Sequence, residues 1–126
     1  MPIDVREHDG LVEFVGIDDL SANEIMSVSE TYHSNSPKKL ALWNLLGARI
    51  SSFRASNFQK VATKGSELSR LRGPGARNAI VVGIPSEYQL LQAFSNMASA
   101  VSAVEHAVFY CREEAIAWLK SSNSGV

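Results

Sequence analysis

Three apolar runs constrain this chain more than any other feature: "LALWNLL" at 40–46, "NAIVVGI" at 78–84 and "HAVFYC" at 106–111, each followed by a stretch of helical periodicity. Asn44 aside, the first run is apolar on both alternating faces, the pattern of a strand covered on both sides, as strands of parallel sheets are. Parallel neighbours need a crossover, usually a helix, and such crossovers are right-handed. The intervening segments supply them. Phe58, Val61, Ala62, Gly65, Leu68 and Leu71 share one helical face before Gly73-Pro74-Gly75, and Leu90, Leu91, Phe94, Met97, Ala98 and Val101 repeat that rhythm after the second run. After the third, "REEAIAWLKSS" carries Glu113 and Glu114 in its first turn and Lys120 in its last, as the helix dipole favours.

Upstream, Ile3 and Val5 alternate with polar residues, Asp9-Gly10 follows, and "LVEFVGI" comes next. Asp-Gly between two strand-like runs signals a hairpin, because both turn positions need positive φ. Ser21 with Glu24 fits a capping box at a helix start, Ile25, Val28 and Tyr32 continue the helix, and "HSNSPKK" stops it. The expected fold is therefore α/β: one mixed five-stranded sheet, with the N-terminal hairpin toward one edge and parallel strands beyond it, covered by about four helices. At 126 residues this is one domain, 1–126.

Composition excludes several function classes. A formal charge of -1 gives no overall attraction to nucleic acid, and no stretch approaches the ~20 apolar residues of a membrane helix. The single cysteine, Cys111, has no internal disulfide partner, and the N-terminus lacks a secretory pattern, so the cytoplasm is the expected compartment. His8, His33 and His106 stand alone, without metal-ligand spacing, so neither a metal nor a cofactor is expected. "RLRGPGAR" groups Arg70, Arg72 and Arg77, but without interleaved aromatics it reads as a solvated loop.

The order of elements, with "LALWNLLGARIS", "NAIVVGIPSEYQLLQAF" and "HAVFYCREEAIAWL" at matching intervals, resembles the SpoIIAA-like proteins, relatives of the STAS domain (sulfate transporter and anti-sigma factor antagonist). The resemblance implies a non-catalytic module that binds proteins, in some members switched by phosphorylation of a serine at a helix start. There the strand runs into Asp-Leu-Ser-Gly and then Asp-Ser-Ser-Gly. Here Asn44-Leu45-Leu46-Gly47 and Ser51-Ser52-Phe53-Arg54 occupy those places, so Ser51 and Ser52 are the candidate phosphoacceptors while the aspartate and final glycine are missing.

The carboxyl ends of parallel strands line a crevice in open α/β sheets. Arg49, Ser51 and Ser52 should reach it from one crossover, Ser86, Glu87 and Tyr88 from the next helix start, and Arg112 from the last. Ser86 reads first as an N-cap and second as part of an anion seat at the helix N-terminus. Trp43, Phe94 and Met97 read as core, with room for an apolar cavity between helix and sheet. Trp118 falls at the border of an inward stripe, where a large aromatic can anchor a partner or a second subunit. Two functions follow: a protein-interaction module with an unknown protein partner, working as a homodimer, or a carrier or sensor of a small apolar or anionic ligand.

Overall fold

A computed structural model of the chain describes residues 3–8, 10–50 and 53–121. Asp9, Ser51, Ser52 and the C-terminal tail lie outside the described residues. Strand β1 (Ile3–His8) turns through Gly10, at φ +81°, into β2 (Leu11–Asp19), and the two pair antiparallel. Then follow α1 (Ala22–Asn35), β3 (Leu40–Arg49), α2 (Ala55–Arg72), β4 (Arg77–Val81), α3 (Pro85–Val101), β5 (Glu105–Phe109) and α4 (Arg112–Lys120). The five strands form one sheet in the order β1-β2-β3-β4-β5, every pair after the hairpin parallel. The mixed sheet and the hairpin at its edge agree with the sequence expectation.

Local chemistry sets the element ends. Ser21 Oγ accepts from Glu24 N–H at 3.1 Å while a Glu24 carboxylate oxygen accepts from Ser21 N–H at 2.8 Å, the reciprocal capping box. The β2–β3 register slips between Val15 and Ile17, and Gly16 stands at the slip. A Cβ there would lie 2.8 Å from Leu20 Cδ1 and 3.0 Å from Leu45 Cδ2, so the side chains of the underlying core occupy the space.

The helices divide three to one. Residues of α1, α2 and α3, among them Ile25, Phe58, Ala62, Leu91 and Phe94, build the larger core over Val12, Phe14, Leu45 and Ile80. On the other face α4 alone seats Ala115 and Leu119 on Leu11, Leu42, Ala79 and Val81. Helices α1 and α3 rest against the sheet, α1 at β1 and α3 at β5, whereas the backbone of α2 packs on those two helices and stands off the strands.

Several expected core positions differ. Leu71, Leu90 and Val101 are exposed, at 49%, 39% and 59%, while Arg72 and Arg77, expected in a solvated loop, are buried. Arg72 turns under the end of α2 and donates to the carbonyls of Lys38, Lys39 and Arg77 at 2.8, 2.9 and 3.1 Å, joining the end of α2 to the starts of β3 and β4; the Lys39 carbonyl also accepts from Arg77 N–H at 2.8 Å. Helix α2 thus presents Leu68 and Arg72 inward and Leu71 outward. Arg77 lies 5.0 Å from the Trp118 ring centroid and donates to the Trp118 and Ser121 carbonyls, closing α4 onto β4. In α3, the covered residues form a narrow stripe of Glu87, Leu91, Phe94, Ser95 and Ala98.

Candidate functional site

Because α2 stands off the sheet, the space beneath it is incompletely filled. A cavity of about 80 Å³ lies there, floored by Trp43, Ile80 and Asn78 and roofed by Phe58, Ala62 and Leu68. Leu91 and Phe94 of α3 and Ile25 and Ser29 of α1 form its walls. That is roughly half the ~150 Å³ of an apolar cavity that accommodates benzene, and several times what one water needs. Met26 and Lys64 line both this cavity and an outer groove between α1 and α2, which marks the mouth. Across it Lys64 Nζ lies 3.5 Å from Glu30 of α1 and 3.3 Å from Glu67, one turn away on α2.

The lining is not wholly apolar. His33, Arg72, Asn78 and His106 reach it from α1, α2, β4 and β5. His33 is 3% exposed, and Lys38 N–H points at its Nδ1 from 3.4 Å, so in the neutral ring the proton sits on Nε2. Burial, reinforced by the nearby Arg72 charge, lowers the His33 pKa to about 4. His106 Nδ1 lies 3.1 Å from the Val104 carbonyl, which can only accept; Nδ1 therefore carries the proton and Nε2 accepts from Asn78 Nδ2 at 3.2 Å. Burial likewise lowers the His106 pKa to about 4. Burial brings Arg72 down to about 10, still charged at neutral pH. Asn78 Oδ1 is buried with no hydrogen-bond partner among the described residues.

The residues expected at the strand-end crevice are dispersed. Ser86 is exposed and is not the cap: Ile84 is the N-cap and Pro85 opens α3. Proline has no N–H to leave unpaired and its φ suits the first helical position, so the helix starts earlier than a serine cap would place it. Glu87 is buried and its carboxylate faces Ile50 N–H at 3.5 Å. Tyr88 stacks on Tyr110, with centroids 4.4 Å apart. Arg49 turns away to Asp19, at 2.9 Å. Trp118 is half-buried against Phe109, at the edge of the smaller core.

Arg112 leaves the crevice for the α4 face of the sheet. Its Nε and Nη2 reach the two carboxylate oxygens of Glu13 at 2.9 and 2.7 Å, and Asn44 Nδ2 and His8 Nε2 add contacts at 3.0 and 2.8 Å. Glu13 is 1% exposed, and the Arg112 bond is the largest cause holding its pKa near 2 against the opposing pull of burial. This fully engaged carboxylate fastens the start of α4 over β2 and β3. No group of three His, Cys, Asp or Glu among the described residues is placed to hold a metal ion.

The cavity's polar side chains were not singled out from sequence as one site. Each is an isolated residue on its own element, and only the sheet order and the end of α2 bring them together.

No family model matches the chain, and no curated protein matches it. Among solved structures, the crystal structure of an uncharacterized protein of the DUF3478 family with a SpoIIAA-like fold, from Shewanella loihica PV-4, superposes with a TM-score of 0.56 over 93% of this chain and 91% of that one. The sequences are 16% identical over that alignment. The fold is therefore SpoIIAA-like, and the likeness carries the architecture alone. No helix among the described residues is long and apolar enough to cross a membrane.

Proposed function

We propose that this SpoIIAA-like domain is a non-catalytic binding module that carries or senses a small molecule held beneath α2. The observation that carries this reading is the cavity between α2 and β3–β4, apolar on most sides and lined by two buried polar side chains, His33 and Arg72. A mostly apolar pocket with a few convergent polar groups is the usual form of a small-molecule site. The apolar walls supply affinity by area, and the polar end orients the ligand.

Native mass spectrometry of freshly purified protein tests it. The expected result is a retained small mass that is lost in Ala62→Leu, which fills the roof. Clean apoprotein, with no thermal shift across a metabolite set, would refute the reading.

A second reading rests on a different observation. Ile17, Leu46, Ile84 and Tyr110, all near the carboxyl ends of strands, are exposed by 45%, 50%, 49% and 49%. Such residues suit contact with a protein partner or a second copy, with Trp118 as a further anchor and Ser51 or Ser52 as a phosphorylation switch, in a cytoplasmic setting. Mass in solution and capture of partners from the native host test it, as does Ser52→Asp, which should weaken a captured partner's binding. A strict monomer with no partner would remove this second reading.

A further inference from the structure

Resting on the ligand-cavity reading, we propose that the ligand is a small apolar carboxylate whose anionic end lies against Arg72 and His33, and whose body lies among Trp43, Phe58 and Phe94. The argument is one of unmatched donors. Arg72 spends Nε and Nη2 on three backbone carbonyls, and its Nη1, with two N–H groups, has no partner among the described residues. His33 receives the Lys38 N–H at Nδ1, which leaves Nε2–H as a further donor, also without a partner among the described residues. Both side chains are more than nine-tenths buried and both line the cavity.

Charge points the same way. Among the described residues no carboxylate pairs with Arg72; the acidic groups are engaged elsewhere, Glu13 with Arg112, Glu105 with Arg77, and Glu30 and Glu67 with Lys64. A buried guanidinium balanced only by carbonyl dipoles gains most from an anion, and its planar fork matches a carboxylate better than a spherical ion. A cationic ligand would meet Arg72 as a like charge. A neutral amide or alcohol would satisfy a donor but leave the charge uncompensated. Size sets the rest: about 80 Å³ suits a short branched acid, whereas an aromatic acid exceeds that space and would have to extend into the mouth beside Met26 and Lys64.

The test compares isovalerate and benzoate with their neutral amides, isovaleramide and benzamide, by calorimetric titration at pH 7, with NMR of the histidine rings on the same samples. The expected result is at least tenfold tighter binding of a carboxylate than of its amide, with the His33 resonance titrating at higher pH in the bound state because an adjacent anion favours the imidazolium. Replacing Arg72 removes its support of three carbonyls and can unfold the chain, so the decisive variant is His33→Phe. It should narrow the acid-over-amide preference several-fold, because the acid loses more affinity than the amide when the Nε2–H donor is removed. Equal binding of acid and amide, or an unmoved His33, would overturn the carboxylate assignment and leave the ligand cavity standing. Binding of neither probe class, together with clean apoprotein in native mass spectrometry, would bring down both.

Discussion

Arg112 at the start of α4 and Glu13 in the middle of β2, 99 positions apart in the chain, meet as a two-pronged ion pair at 2.7 and 2.9 Å. Glu13 is almost entirely buried, so removing its partner strands a charge. Arg112→Ala should cost about 3–5 kcal/mol, whereas the double change Glu13→Leu with Arg112→Met should cost much less, because no unpaired charge is left. Urea unfolding of the two variants and the parent checks this. A double variant as unstable as the single one would mean the pair contributes more than mutual neutralisation.

Acid should weaken the fold in two stages. His33 and His106 both have pKa values near 4 in the fold against 6.5 ordinarily, so their contribution is full above about 6.5 and is lost as pH falls through 4. Each should lower stability by at most ~1.4 kcal/mol per pH unit in that window. Glu13, at about 2 against 4.5, adds a later loss as pH falls from 4.5 toward 2. Denaturant melts from pH 7 to 4 should show the first stage, and His33→Phe should flatten it. An unchanged slope in that variant would contradict a buried neutral His33.

Val82, fully buried just past the end of β4, tests the two-sided sheet. Val82→Asp places a carboxylate where no cation waits and should cost more than ~4 kcal/mol, or abolish folding. Circular dichroism and thermal melting read the outcome. A cooperative melt near the parent's would contradict the burial of this strand.

Two glycines should respond in opposite directions. Gly16→Ala drives a Cβ against Leu20, Leu45 and Ala48 and should cost about 1–3 kcal/mol. Gly65 lies within α2 with open space where its Cβ would be, so Gly65→Ala should raise stability by about 0.4–1 kcal/mol through lower chain entropy. Chemical denaturation of both variants decides it, and a destabilised Gly65→Ala would show that α2 is not a regular helix there.

The architecture was legible because its signals are local. Ser21 and Glu24 announce their own cap, Gly73 and Gly75 take the positive φ of a helix stop, and the apolar runs at 40–46 and 78–84 need both faces covered. Burial of Arg72 and Arg77 was not legible. A charged residue beside Gly-Pro-Gly reads as solvated until the carbonyls of Lys38, Lys39 and Trp118 are brought to it by the fold. An apolar cavity beside Trp43 and Phe94 was legible, but its polar lining was not, for the same reason: His33, Arg72 and His106 sit on separate elements and carry no shared spacing. Helical periodicity also overstated the core: Leu90 and Val101 lie on the rhythm of α3 but stay exposed, outside the stripe that Leu91, Phe94 and Ala98 bury.

That α2 leans on its two helical neighbours while the strands pair without it separates the scaffold from the cavity roof. Substitutions at Val61, Ala62 or Gly65 can enlarge, shrink or reshape what fits below while the ladder from β1 to β5 is untouched. A lineage carrying this domain can therefore remodel that space by editing a single helix.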